Sequence, residues 1–175
     1  MSKITENRSV YMCHIILQHY RFIKKMNNMK TEEFADYIYN ISPAIYSAFK
    51  NKGINNTKDI IADYITIVDK TINSIKNKAH NAKGDEARIL NRYYRILCLR
   101  YTNKNLHSAE YIEQKLKLGE RNLCKHLIES LKLFVIYFNQ TATRLNHSNA
   151  LTNSTVRVVE IARLVDKAEK LQKIA

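Results

Sequence analysis

Three glycines and one proline in 175 residues leave this chain almost without the means to turn. Hairpins and tight reversals draw on Gly, Pro and Asn-Gly pairs, because these residues reach the backbone angles that turns demand. A β-rich fold of this length would need many such points. The scarcity therefore predicts an all-α fold, a helical bundle whose corners fall near Pro43, Gly53, Gly84 and Gly119. Hydrophobic residues make up 45% and charged ones 26%, enough apolar material for a packed core and too much for a disordered chain.

Apolar spacing places the helices. A first helix is expected from about Val10 to Met29, with Ile15, Ile16, Phe22, Ile23 and Met26 inward. Thr31 is the expected cap of a second helix, with Glu32 and Glu33 favourable against its dipole. That helix should end at Ile41, because Ser42-Pro43 reads as a cap followed by proline at a first helical position. A short helix from Pro43 to Lys50 should exit at Gly53. Thr57 is the expected cap of a long helix with Asp59 in its first turn. Within it Ile61, Ile65, Val68, Ile72, Ile75 and Ala79 are spaced 4, 3, 4, 3, 4, a heptad seam that fits a bundle core or a dimerising coiled coil.

Gly84 in "NAKGDEA" is the expected C-cap and the main internal boundary, with Asp85 and Glu86 opening the next helix. Leu90, Tyr94, Leu97 and Tyr101 continue as an apolar stripe to a polar loop, 102–108, ending in the N-cap Ser108. Two helices should flank Gly119, the second reaching about Asn139 with Leu123, Leu127, Leu131, Phe134 and Phe138 on one face. A polar linker, 140–153, and a last amphipathic helix, 154–174, with Val158, Ile161, Val165 and Ala168 inward, complete the expectation. Three regions result: 1–83 for core, dimerisation or polymerase contact, 84–140 for DNA binding, and 141–175 as linker and terminal helix.

The net charge of +13 points to a polyanionic partner such as nucleic acid, an anionic membrane surface or an acidic protein. A Lys/Asn/Ile-rich coding bias is the alternative source. Residues 31–49 carry three acids and no base, while every other stretch is net basic, so no single tail accounts for the excess. A binding surface has to be assembled by folding.

The segment "LKLGERNLCKHL" at 116–127 has the layout of a helix-turn-helix. Ile112 and Leu116 supply the inner face of its first helix. Leu118 plugs the turn, and Leu123 and Leu127 supply the inner face of the second, with Leu131 extending it. Glu120, Arg121, Asn122, Cys124, Lys125 and Glu129 then point away. Arg121 suits a guanine edge and Asn122 an adenine edge, while Lys117 and Lys125 suit phosphates. Two ordinary amphipathic helices of a bundle would share this spacing.

The stretch "ILNRYYRILCLRYTNKNLHSAEYIEQKLKLGERNLCKHLIESLKLFVIYF" (89–138) resembles the C-terminal helix-turn-helix of phage late-gene transcription activators of the RinA/ArpU-like group. That module is itself similar to region four of sigma factors. The resemblance rests on Arg100-Tyr101 before the loop, on Ile112 and Leu116, on Leu118 leading the turn, and on Asn122, Leu123 and Lys125 in the second helix. Ser130 falls at a small position in the closing segment. Glu113 stands where the family has a small residue, Lys117 where it has a turn glycine, and Gly119 where it has a serine cap. The resemblance implies a sequence-specific double-stranded-DNA-binding transcriptional regulator of phage or mobile-element type. Residues 31–68 also look like sigma-factor region two, which implies RNA polymerase as a partner through Asp59 and Asp63. Other readings are a basic helical factor that binds an acidic host protein, and a homodimer formed through the 61–79 seam or the C-terminal helix.

No enzyme is expected. The sequence has no G-x-G-x-x-G, P-loop, G-x-S-x-G or H-E-x-x-H pattern. His14 and His19 are five apart and Cys124 and His126 two apart, spacings that do not share a helix face for a metal. No cofactor is expected either. Cys13, Cys98 and Cys124 read as reduced intracellular thiols, and the apolar run near the N-terminus is broken by His14, Gln18 and His19, so the expectation is a cytoplasmic protein with no membrane span.

Overall fold

A computed structural model describes residues 8–105, 107–145, Arg163 and Lys170. Among the described residues the chain is all-α. Its helices are α1 (Arg8–Asn27), α2 (Thr31–Ile41), α3 (Pro43–Lys52), α4 (Ile54–Asn81), α5 (Gly84–Leu97), α6 (Ala109–Leu116) and α7 (Glu120–Arg144), and a π-helical turn, Cys98–Thr102, prolongs α5. No described helix is long and apolar enough to cross a membrane.

The chain divides into two compact units, one of residues 1–18 and 67–148, the other of 19–66 and 149–175. In the second unit Phe34 of α2 and Phe49 of α3 pack with ring centroids 6.2 Å apart, and Ile23, Met26, Ile38 and Ile61 are fully buried nearby in sequence-periodic positions. The first unit carries the candidate site. Its core holds Ile16 and Leu17 of α1, Val68 and Ile75 of α4, Leu97 of α5, and Leu131, Phe134 and Phe138 of α7, all at most 1% exposed. Phe134 and Phe138, one helical turn apart, meet at 5.6 Å. The heptad seam of α4 is buried along its whole length, from Ile61 to Ala79, by the chain's own residues.

Several helix boundaries differ from expectation, each for a local reason. Lys30, not Thr31, is the N-cap of α2. Glu33 reaches back to accept its backbone N–H at 2.9 Å, half of a capping box, so the cap needs no hydroxyl. Thr57 does not cap α4, which already starts at Ile54. Its hydroxyl instead donates to the Gly53 carbonyl at 3.2 Å, a bond to the preceding turn that lets it sit buried. Asp59 consequently lies beyond the first turn. Gly53, at φ +84°, does make the corner. Gly84, also at positive φ (+59°), is the opening residue of α5 rather than the C-cap of α4. α7 continues past Asn139 to Arg144, where the Thr143 hydroxyl returns to the Asn139 carbonyl at 2.9 Å, so the segment expected to be a linker is helical at its start. The expected helix at 154–174, with Val158, Ile161, Val165 and Ala168, lies outside the described residues apart from Arg163 and Lys170.

The π-helical turn was not legible in the apolar pattern. It closes with an i→i+5 bond from the Asn103 N–H to the Cys98 carbonyl at 2.9 Å. It holds Tyr101 in the core, 2% exposed, where the phenol oxygen lies 2.6 Å from His14 Nδ1 of α1.

Replacing Phe134 by Ala should cost about 3–5 kcal/mol, because a fully buried ring leaves a cavity that rigid helices cannot close. The same change at Ile136, 53% exposed on the opposite face of α7, should stay within about 0.5 kcal/mol. Urea denaturation followed by circular dichroism measures both.

Candidate nucleic-acid interface

Three helices build the site around one small apolar contact. Ile96 of α5, Ile112 of α6 and Leu123 of α7 are buried together, and Leu99, Ala109, Leu116, Leu118 and Leu127 pack against them. The five residues expected as the inner face, Ile112, Leu116, Leu118, Leu123 and Leu127, thus meet in one cluster. Its third wall, Ile96, comes from α5 and lies outside the stripe of Leu90, Tyr94, Leu97 and Tyr101 expected there.

α6 is only eight residues long, and a helix that short has no stability of its own in water. Both its ends are closed locally. The Ser108 hydroxyl oxygen accepts the Tyr111 N–H at 3.2 Å, and Glu110 sits in the first turn. The Glu110 carboxyl is held below its ordinary range by its own backbone N–H and then by the Ser108 hydroxyl. At the other end Lys117 adopts the left-handed conformation, φ 52° and ψ 50°. The Lys117 N–H donates to the Gln114 carbonyl at 3.3 Å, and the Leu118 N–H to the Glu113 carbonyl at 2.9 Å. These are the two bonds of a Schellman closure, with Leu118 as its apolar follower. Lys117 therefore performs the conformational role that a glycine has in the family the sequence resembles. Glu113, another departure from that pattern, is half-buried, and its carbonyl accepts the Leu118 N–H of the turn.

Gly119 then acts as N-cap of α7 at φ −80°, ψ 160°, an extended conformation open to any residue. A Cβ there would meet nothing within 4 Å. The Leu123 N–H returns to the Gly119 carbonyl at 2.9 Å, but no side chain among the described residues caps the helix, which leaves its first amide groups without a side-chain partner there. From this end Glu120, Arg121, Asn122, Cys124 and Lys125 are all exposed, as is Lys117 on the turn. Arg121, Lys117 and Lys125 form no ion pair with any described residue. Glu129, expected to point away, is half-buried and pairs with Lys132 at 2.8 Å.

His126 lies one position beyond the exposed set and was weighed in the sequence only as a metal ligand with Cys124, not as part of this surface. Its ring packs on Tyr93 at 5.7 Å, and its Nε2 lies 3.3 Å from an Arg92 guanidinium nitrogen. Arginine can only donate, so Nε2 accepts and the ring's single proton sits on Nδ1. Nδ1 is buried and has no hydrogen-bond partner among the described residues. Burial first, then Arg92 and Lys125, push the His126 pKa below its ordinary value. Cys13 is inert for a related reason: burial raises its thiol to about 12. No cluster of His, Cys, Asp or Glu able to hold a metal exists among the described residues.

Compared with protein-family models, with curated proteins and with solved structures, the chain matches none.

Lys117→Gly should raise stability by about 0.5–1 kcal/mol, because glycine occupies the left-handed region without the Cβ penalty. Gly119→Ser should add a comparable amount by supplying the missing cap and stiffening the unfolded chain. Thermal melts of both variants decide the matter. His126 and the partly buried His14 are both held below the ordinary histidine pKa of 6.5. Below 6.5 the unfolded chain therefore takes up protons that the folded chain refuses, and stability should fall as pH drops through this window. His126→Phe should flatten that fall, measured as the melting temperature between about pH 7 and about pH 5.

Proposed function

We propose that this protein is a sequence-specific double-stranded-DNA-binding transcriptional regulator, with α6 and α7 as a helix-turn-helix and the N-terminal end of α7 as its reading edge. The observation that carries the reading is the division of α7 into two faces. Leu123 and Leu127 are committed to the three-helix contact, while Arg121, Asn122 and Lys125 stand exposed on a helix end whose basic side chains no described acid neutralises. A short helix, a three-residue connection and a helix with a polar, outward first turn are what entry into the major groove requires. The uncapped amides and positive dipole end at Gly119 favour a phosphate close by. Glu120, the acid on this edge, can accept from a cytosine amino group. The formal charge of +13 supplies the sequence-independent attraction.

The resemblance of residues 89–138 to phage late-gene activators supports the same reading and adds the class of regulator. A gel shift of the full chain on DNA from upstream of its own gene tests it. Arg121→Ala should lower discrimination between the preferred site and a scrambled one by about 1–3 kcal/mol, whereas Lys117→Ala should weaken both duplexes alike. Absence of any shift at low salt would sink the proposal. Recovery of RNA polymerase with the tagged protein, without a shift on free DNA, would favour the sigma-like reading instead.

A further inference from the structure

α5 carries a second basic feature that the reading edge does not use. Arg88, Asn91, Arg92 and Arg95 recur at helical spacing and line a cavity of about 220 Å³, open to solvent and closed on one side by Leu116 at the end of α6. No carboxylate lines this cavity. Arg95 is exposed, and its side chain has neither an ion pair nor a hydrogen bond to a described residue. Arg88 pairs with Asp85 at 2.7 Å, but both side chains are largely exposed, so water and salt compete for that contact readily. Arg92 leans on the neutral His126 ring rather than on an acid. Three guanidinium groups thus converge with one weak counter-charge between them.

We propose that this cavity clamps a phosphate of the DNA backbone beside the reading edge, an inference that rests on the DNA-binding reading above. The chemistry fits because guanidinium forks match phosphate oxygens bidentately, and Asn91 adds an amide donor. The position fits because Leu116 immediately precedes Lys117 of the turn, and Arg92 contacts the residue that follows Lys125. Cavity, turn and α7 are therefore contiguous parts of one basic surface. A free nucleotide is the poorer match, since no aromatic ring lines the cavity to stack a base.

The test measures the affinity of the full chain for its preferred duplex and for a scrambled duplex over a range of salt concentrations. Arg95→Gln is the primary variant, because Arg95 has no internal partner to lose. Arg88→Gln/Arg95→Gln is the stronger one. The slope of log affinity against log salt should lessen by about 1 for the single variant and about 2 for the double, with the ratio between the two duplexes unchanged. A double variant with wild-type slope and affinity, alongside weakened binding by Lys117→Ala, would overturn the clamp and leave the reading edge intact. A changed ratio between duplexes would overturn it also, since the cavity would then be reading bases. Pyrophosphate binding that the double variant loses, with an unchanged duplex slope, would reassign the cavity to a small anion. A wild-type chain that binds no duplex would defeat clamp and reading edge together.

Discussion

The contact among Ile96, Ile112 and Leu123 is the constraint on which the candidate interface depends. α6 offers eight residues, too few to hold a helix unaided, and its placement comes from one buried isoleucine and two well-made ends. Ser108 closes the front and the Lys117–Leu118 bonds close the back. With α6 held between α5 and α7, Leu118 can turn inward, and the first turn of α7 is left facing solvent. If the apolar contact were loosened, the exposed residues would remain but their common direction would not.

Charge follows from that packing rather than preceding it. Apolar side chains occupy the inward faces of α5, α6 and α7, so their basic residues are displaced to the outside. There the acids are few or already engaged: Asp85 with Arg88, Glu86 with Lys78, and Glu129 with Lys132. The remaining cations gather along α5 and around the turn. His126 sits at the junction of the two groups, neutral because burial and the neighbouring cations oppose its protonation. Its unpaired Nδ1 is a small cost carried by a packing arrangement that brings Arg92 against α7.

Much of the core was legible in the chain itself. The α4 seam, the Leu123–Phe138 stripe and the Ser108 cap could be read because each rests on spacing along one helix or on one residue's own hydrogen-bonding habit. The unread features depend on competition between neighbours. Thr57 looks like a cap, yet the helix starts earlier and its hydroxyl binds the preceding carbonyl. Gly84 looks like a stop, yet it opens the following helix. Lys117 looks unsuited to a left-handed turn, yet two backbone bonds and the packing of the half-buried Leu118 hold it there. The π-helical turn at Cys98–Thr102 leaves no mark on the apolar periodicity, because it changes which carbonyl is bonded while Tyr101 stays inward.

By itself the sequence determined the all-α class, the buried seam of α4, most of the inward positions of α1, α5 and α7 (Phe22 and Tyr94 are only half-buried) and the five apolar residues of the candidate motif. Local spacing and the shortage of turn residues are sufficient for these. Only the tertiary structure decided that Ile96 completes the apolar contact, that His126 meets Arg92 and Tyr93, and that three arginines of α5 share a cavity with the end of α6. Each of these joins residues far apart in the chain. Periodicity tells which way a side chain points from its own helix, and packing decides what stands opposite.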